Sequence, residues 1–432
     1  MTPYPAYKPT ELPWLPKIPE SWNTVKVKYA FKERSEKGYP AEPLLAATQN
    51  HGVIPKRLYE TRTVTAQKDL HLLKLVKVGD FVISLRSFQG GIEYAYYQGI
   101  ISPAYTVMVP VARFLQPMFF KYLAKSKIFI KLLQTCVTGI REGQNIDYET
   151  LRRNAIPVPP PDEQAQIVRY LDSMTAKINK LIRAKKRICD LIFEEIIQCA
   201  NEYINNKYLP RYRLKNIIKL VADEIVRDND MLYTPIGVLN RGRGIFQKKQ
   251  LLGKDLGDSI FFHVFPGDMI FSGQFAWEGA VAILQNSEEG CIASHRYPLA
   301  RAIDPVFLRL PYLWAFFQTK YGDMLLNIHS HGAAGRNRPL NIVHLLREPV
   351  PIPSLDEQSK IEKLFLRLQE ARKLAVNYSV KLQEYKNSLI SSVVTGQVDI
   401  RNIPVDDFDP ADLVSETPDE PEEENAADES EE

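Results

Sequence analysis

Cysteine is scarce in this chain: there are four in 432 residues, Cys136, Cys189, Cys199 and Cys291, and no two are spaced as CxxC. That spacing excludes a zinc ribbon and a disulfide framework and leaves reduced, mostly buried thiols. No apolar run approaches the roughly 18 residues that span a bilayer, and the opening MTPYPAYKPTELPWLP lacks the basic-then-apolar order of a signal peptide. The expectation is a cytoplasmic protein with no membrane partner. There is no GxxxxGK[ST] phosphate loop and no N/D/S-P-P-Y/F/W motif of the kind that holds a flipped adenine. No Gly-rich segment after a strand suggests a methyl-donor pocket either, so catalysis by this chain is not expected. Lys and Arg are missing from residues 402 to 432, where 14 residues are Asp or Glu. That tail is too poor in apolar residues to build a core and is expected to be disordered.

What remains is basic. Without the tail the chain keeps all 55 Lys and Arg against 38 acidic residues, about +17, although the whole sequence sums to +3. A body of that charge points to a polyanion such as nucleic acid. Hydrophobic residues at 45% and charged residues at 25% match an ordinary folded protein, and the length calls for two or three domains.

Self-comparison gives the domain count. IPVPPPDEQAQI at 156 to 167 aligns with VPIPSLDEQSKI at 350 to 361, with six identities at a constant offset of 194. Upstream, Pro43, Gly52, Lys56 and Arg57 fall opposite Pro235, Gly244, Lys248 and Lys249 at offset 192. Gly79-Asp80 pairs with Gly267-Asp268 at 188, and Ser102 and Tyr105 pair with Ser294 and Tyr297 at 192. Small drifts in offset are what loop insertions produce, so the chain reads as two copies of one unit of about 190 residues.

Each copy opens with short strand-like runs such as FVISL, YTVMVP, DMIFS and AVAIL, punctuated by Gly, Pro and Asn. Helical segments, PMFFKYLAKSKIFIKLLQ and PYLWAFFQTKYGDMLLNI, follow them. Each copy ends in a long helix: residues 162 to 209 and 354 to 395 contain no Pro or Gly. Ile167, Leu171, Met174, Ile178, Leu181, Ile188 and Ile192 form a seam broken at Lys185; Ile361, Leu364, Leu368, Ala371, Ala375, Tyr378, Leu382, Tyr385 and Leu389 form an unbroken one. Such seams call for a partner helix. Ser354 and Glu357 fit a capping box, which Pro160 replaces in the first copy. Connectivity then makes the helices antiparallel. The fold class expected is mixed α/β (α+β): two homologous globular domains joined by two long antiparallel coiled-coil helices with pseudo-two-fold symmetry. The expected segments are 1–160 (domain one), 161–206 (central helix), 207–353 (domain two), 354–400 (C-terminal helix) and 401–432 (disordered acidic tail).

These residues resemble the specificity subunits of Type I restriction-modification systems. The similar features are IPESWNTVKV at 18 to 27, the GD-strand segments, the PVPPPDEQ and PIPSLDEQ lead-ins, and SLISSVVTGQVDI at 388 to 400. The resemblance covers nearly everything but the tail. It implies two target-recognition domains, each reading one half of a bipartite double-stranded DNA site, with the helices as a ruler between them. It also implies two modification (methyltransferase) subunits docked on the helices, and a restriction subunit as a further partner. No cofactor is expected in this chain; S-adenosylmethionine, ATP and Mg belong to the partner subunits.

Candidate DNA contacts lie in Gly-containing loops rich in Arg, Lys, Gln and Asn, because Arg matches guanine edges, Asn and Gln match adenine, and Lys meets phosphate. In domain one these are Lys56, Arg57, Arg86, Gln89, Arg141, Gln144 and Asn145; in domain two, Arg241, Arg243, Lys248, Lys249, Gln274, Arg336 and Arg338. The paired Lys56/Lys248 and Arg57/Lys249 suit phosphate better than bases. His329 and His331 lack partners at metal-ligand spacing and read as loop residues. Asp162, Glu163, Asp356 and Glu357 sit where a helix N-terminal dipole favours carboxylates. The alternative from another class is a coiled-coil scaffold that joins proteins without reading DNA; it leaves the charge of the body and the polar loops of both copies unexplained.

Overall fold

The structure is a computed structural model that describes residues 2–58, 69–138, 145–332 and 338–413. The chain divides into two compact units, Met1–Ala184 with Val376–Glu432, and Lys185–Ala375. Each long helix contributes one half to each unit.

In the first unit four antiparallel strands run in the order Phe31–Arg34, Thr106–Pro110, Phe81–Ile83, Glu93–Tyr94. The helices Pro117–Ala124 and Lys127–Thr135 bury Phe119, Phe120, Leu123, Phe129 and Leu133 in the same core as Phe31, Phe81 and Met108. A hairpin, Leu45–Thr48 with Gly52–Pro55, and a pair, Lys74–Val76 with Gly99–Ile101, flank this sheet. Strands Asn23–Lys26 and Ala155–Val158 pair just before the central helix begins.

The second unit repeats this plan. Its sheet runs Ile218–Val221, Leu299–Ala302, Met269–Phe271, Val281–Ile283. The helices are Leu310–Phe317 and Lys320–Ile328, the hairpin is Ile236–Leu239 with Gly244–Gln247, and the flanking pair is Phe261–His263 with Ile292–Ser294. Strands Arg211–Arg213 and Pro349–Pro351 pair before the C-terminal helix. The matched glycines occupy matched conformations: Gly79 and Gly267 have φ of 93° and 89°, a left-handed turn that L side chains avoid. Asp80 and Asp268, which follow them, are buried on arginines, Arg34 at 3.1 Å and Arg301 at 2.7 Å. Among the described residues, the pair Tyr7–Pro9 with Lys17–Pro19 belongs to the first unit alone, and Leu232–Tyr233 with Leu251–Leu252 to the second.

The helices Pro161–Asn205 and Leu355–Val394 have 45 and 40 residues. The capping box is present: the Ser354 amide donates to Glu357 Oε2 at 2.8 Å and the Glu357 amide to Ser354 Oγ at 3.4 Å. Glu163 does more than face a helix dipole: it is buried and accepts from the Tyr4 hydroxyl and from Trp22 Nε1, the latter at 2.9 Å. Burial and this carboxylate push the Tyr4 phenol up from its ordinary pKa.

The glutamine of each DEQ triplet ties helix to domain. Gln164 Oε1 accepts the Gln116 amide at 2.7 Å, while its Nε2 donates to the Phe114 and Pro159 carbonyls, each at 2.8 Å. Gln358 repeats this with the Arg309 amide at 2.8 Å and the Phe307 and Pro353 carbonyls at 3.1 and 3.0 Å. Both side chains are buried, and each amide satisfies three polar backbone groups at once, one of them, the Pro159 or Pro353 carbonyl, in a fully buried bond.

Two expectations need correction. The seams are not buried throughout: Leu181 and Ile188 are 51% and 46% exposed, and Tyr378 and Tyr385 48% and 46%. A 3.5-residue seam rotates around a straight α-helix by about 20° per heptad, so its positions leave the packed face. In the second unit the seam residues Ile361 and Leu368 are buried as expected, with Phe365 beside them, while the central helix meets them with Cys189, Ile196 and Ala200. The tail, expected to be disordered from 401, is docked as far as Leu413. Gln166 Nε2 donates to the Ile403 carbonyl at 2.9 Å, Ser173 Oγ to Asp406 at 3.1 Å and Asn179 Nδ2 to Asp412 at 3.0 Å, while Lys177 pairs with Asp406 at 2.6 Å. Charge density hid a strap whose backbone carbonyls are met by side chains of the central helix. Residues 414–432 lie outside the described residues.

Replacing Gln358 with Leu leaves the Arg309 amide and the Phe307 and Pro353 carbonyls unmatched, and the buried Pro353 carbonyl costs about 1–3 kcal/mol if it finds no substitute. Hydrogen exchange of the Arg309 amide should accelerate at least tenfold, while the Gln116 amide of the other unit keeps its protection; Gln164→Leu should reverse the pattern.

Candidate nucleic-acid interface

In the first unit the candidate loops are gathered by one lysine. Lys125 caps the C-terminus of Pro117–Ala124, and its ammonium donates to the carbonyls of Gln49 and Gly90, each at 3.0 Å, and to Glu93 Oε1 at 2.5 Å. Gln49 lies in the hairpin turn, Gly90 ends the short helix Ser87–Gly90, and Glu93 is buried in the sheet. That short helix also packs on Lys127–Thr135 and on Asn145–Ile146, and Gln134 Nε2 donates to the Phe88 carbonyl at 3.2 Å. Arg86, Gln89 and Asn145 are therefore brought together, all exposed. Arg141 and Gln144 lie outside the described residues. Gln49 and Asn50, which the sequence reading passed over, are exposed in the hairpin turn beside this group. Their signal was a polar stretch, TQNHG, between two apolar strands.

Lys56 and Arg57 are not part of that group. They begin the turn Lys56–Leu58 beyond the open end of the hairpin, where the Lys56 amide donates to the Leu44 carbonyl at 2.8 Å. Four strand residues at about 3.3 Å each separate them from the hairpin turn, roughly 13 Å. Lys248 and Lys249 hold the same place in the second unit, with the Lys248 amide on Pro235 at 2.7 Å.

The second unit builds its group on the turn 240–243. Arg241 has φ of 55°, and its amide donates to the Glu278 carbonyl at 2.9 Å; the Gly242 amide donates to Gly279 at 3.0 Å. Asn240 Nδ2 donates to the Glu278 carboxylate. The hairpin turn is thereby seated on the short helix Ala276–Glu278, whose Trp277 lies under the Arg338 guanidinium, 4.7 Å from the ring centre. Gln274, half-buried just before that helix, corresponds to Arg86 at offset 188. Its neighbour Gly273 accepts the Leu340 amide at 2.7 Å, which draws the segment around Arg338 to the same place. Arg241, Arg243, Gln274 and Arg338 thus converge, while Arg336 lies outside the described residues.

The arrangement suits recognition. Apart from half-buried Gln274, its polar groups are exposed donors and acceptors on tightly seated turns, suited to base edges and phosphates. The four thiols are pushed up by burial, which disfavours the reactive thiolate. Among the described residues no group of three His, Cys, Asp or Glu could hold a metal ion. His329, one of the two loop histidines, is engaged with Glu348 at 2.9 Å. No described helix is long and apolar enough to cross a membrane.

No family model matches the chain. A Type I restriction enzyme MjaVIII specificity subunit from Methanocaldococcus jannaschii is 20% identical over 423 residues, covering 90% of this chain and 95% of that protein. The chain resembles Type I specificity subunits along nearly its whole length. A solved chain described under complex assembly and conformational transition of the type I R-M system overlays with a TM-score of 0.56 at 14% identity, covering 88% of this chain and 99% of that one. That overlay supports the fold. The HsdS subunit from Thermoanaerobacter tengcongensis overlays with a TM-score of 0.43 at 13% identity, covering 88% and 98%.

The Asn240 bond to Glu278 is charge-assisted and worth about 1.5–3 kcal/mol. Glu278→Ala should therefore raise amide exchange at 240–242 about tenfold or more without changing exchange in the turn 49–51, whereas Glu278→Gln, which keeps an acceptor, should stay near wild type.

Proposed function

We propose that this chain is the DNA-recognition subunit of a Type I restriction-modification complex, reading a bipartite double-stranded site with one domain per half. The observation that carries this reading is the duplicated construction. Each domain ends in a hairpin turn, a short helix after the GD strand, and a loop stem, which gather exposed Arg86, Gln89 and Asn145 in the first copy and exposed Arg241, Arg243 and Arg338 beside half-buried Gln274 in the second. A scaffold that joins proteins has no need to build such a surface twice.

In this reading Arg86, Gln89, Asn145, Arg241, Arg243, Gln274 and Arg338, with Arg141, Gln144 and Arg336 of the neighbouring loops, face DNA. A bidentate pair with the correct base contributes about 1–3 kcal/mol of discrimination. Lys56, Arg57, Lys248 and Lys249, set back along the hairpins, meet phosphates, each neutralised phosphate adding about 0.9 to the salt slope. Half-sites read from one face of the duplex lie about one helical turn, roughly 34 Å, apart or a multiple of it. Apolar side chains exposed along the long helices, among them Leu181, Leu191, Leu374 and Val376, suit the docking of two modification subunits, with a restriction subunit as a further partner. The chain performs no chemistry itself; S-adenosylmethionine, ATP and Mg act in the partners, in the cytoplasm.

Modification-sensitive sequencing of host DNA with and without the gene tests this. Methylated adenine should vanish from one split motif of fixed spacer when the gene is removed; an unchanged methylome with chain and modification partner both expressed rejects the proposal. In binding assays Lys248→Ala and Lys249→Ala should weaken all sequences alike and each lower the salt slope by about one. A changed sequence preference would contradict the phosphate role.

A further inference from the structure

Arg372 stands on the C-terminal helix, 130 positions from Gly242 in sequence, yet it touches the hairpin turn 240–243. Its Nη1 donates to the Gly242 carbonyl at 2.9 Å, and its guanidinium lies 5.8 Å from the ring centre of Phe193 on the central helix. Phe193 in turn packs edge-on against Trp314 at 5.8 Å, and Trp314 against Phe365 at 4.9 Å. One side chain therefore contacts the central helix and the turn while belonging to the C-terminal helix, all within the unit Lys185–Ala375.

The turn has little room to move. A side chain at Gly242 would place its Cβ 2.6 Å from Gln318 Oε1 and 3.2 Å from Trp314, so the glycine is pressed against the end of Leu310–Phe317. Its amide is held by Gly279 and that of Arg241 by Glu278. The Arg243 amide and Nε close the turn on the Asn240 carbonyl at 3.3 and 3.1 Å, and the Gly242 carbonyl, which takes Arg372, lies between the two exposed arginines, Arg241 and Arg243. In the first unit a cation also sits on the hairpin turn, but it is Lys125, from the helix cap. The corresponding cap in the second unit is Gln318, and the residue 194 positions before Arg372 is the buried Ile178. The cation has moved from the domain's own helix to the long helix.

We infer that Arg372 is a positioning residue for DNA reading by the second unit: by holding the Gly242 carbonyl it sets the directions in which Arg241 and Arg243 meet DNA. The inference rests on the DNA-recognition reading. It makes one half-site's readout depend on the packing of the two long helices and leaves the other half-site to a local contact. Burial lowers the Arg372 pKa, and Cys189 and Asp190 oppose that shift.

Full-length Arg372→Met and Arg372→Lys test it. Met keeps a long chain against Phe193 without a donor; Lys keeps a donor without the planar stack. Amide exchange in 240–243 should rise at least tenfold in Arg372→Met, remain unchanged in 49–51, and be partly restored in Arg372→Lys. In selection from a random-sequence duplex DNA library, Arg372→Met should lose base preference in one half of the split site and keep it in the other. Unchanged exchange at 240–243, or equal loss of preference in both halves, overturns the inference. A wild-type chain that selects no sequence overturns its DNA role together with the reading it rests on, and the exchange arm then decides separately whether Arg372 holds the turn.

Discussion

A single buried amide, used twice, governs how each long helix leaves its domain. Gln164 and Gln358 each fill a donor and two acceptors of the neighbouring backbone, and each stands in the first turn of its helix. An unpaired group at such a depth costs as much as several surface contacts provide. The amide thus fixes the helix start against the segment entering Pro117–Ala124 or Leu310–Phe317, and those helices carry the cap residues, Lys125 and Gln318, that reach the hairpin turns. The placement of those hairpin turns follows from where that amide sits.

Duplication preserved backbone and released side chains. The four-stranded sheets share one strand order, and the left-handed glycines recur, because they are demanded by turns that no other residue adopts cheaply. The arginines on Asp80 and Asp268 come from different strands, and the cations on the hairpin turns come from different helices. A buried carboxylate needs a cation and a turn carbonyl accepts from any donor in reach, so the fold is indifferent to which element supplies it. Two copies with equal frames and unequal surfaces fit the proposed reading of two different half-sites.

The N-terminal strands and the segment after the C-terminal helix pack together in the first unit. Gly396, with φ of 72°, leaves no room for a side chain, its ideal Cβ lying 2.3 Å from Pro19, and the Tyr7 hydroxyl donates to its carbonyl at 3.0 Å. IPESWNTVKV and SLISSVVTGQVDI, distant in sequence, are thus parts of one packed structure. The strap from Arg401 to Leu413 continues along the central helix, held by Gln166, Ser173, Lys177 and Asn179.

The repeat, the mixed α/β class, the long helices and the capping box were legible in the sequence, because periodicity, proline placement and identical triplets are local signals of backbone geometry. The basic body and the polar loops were legible as composition. Which candidates stand together was not: Lys56 and Arg57 read like Arg86 and Gln89, and only the folded hairpin sends them to its far end. Nor was the interruption of the seams, since heptad spacing names a face without naming what covers it. Asp406 and Asp412 looked like solvated charge until the carbonyls beside them found donors on the central helix. Sequence by itself determined the two-copy architecture and the basic, polar composition of its loops; tertiary structure alone decided that Lys125 holds one hairpin turn and Arg372 the other, because contacts between residues 76 and 130 positions apart leave no periodic trace in the chain.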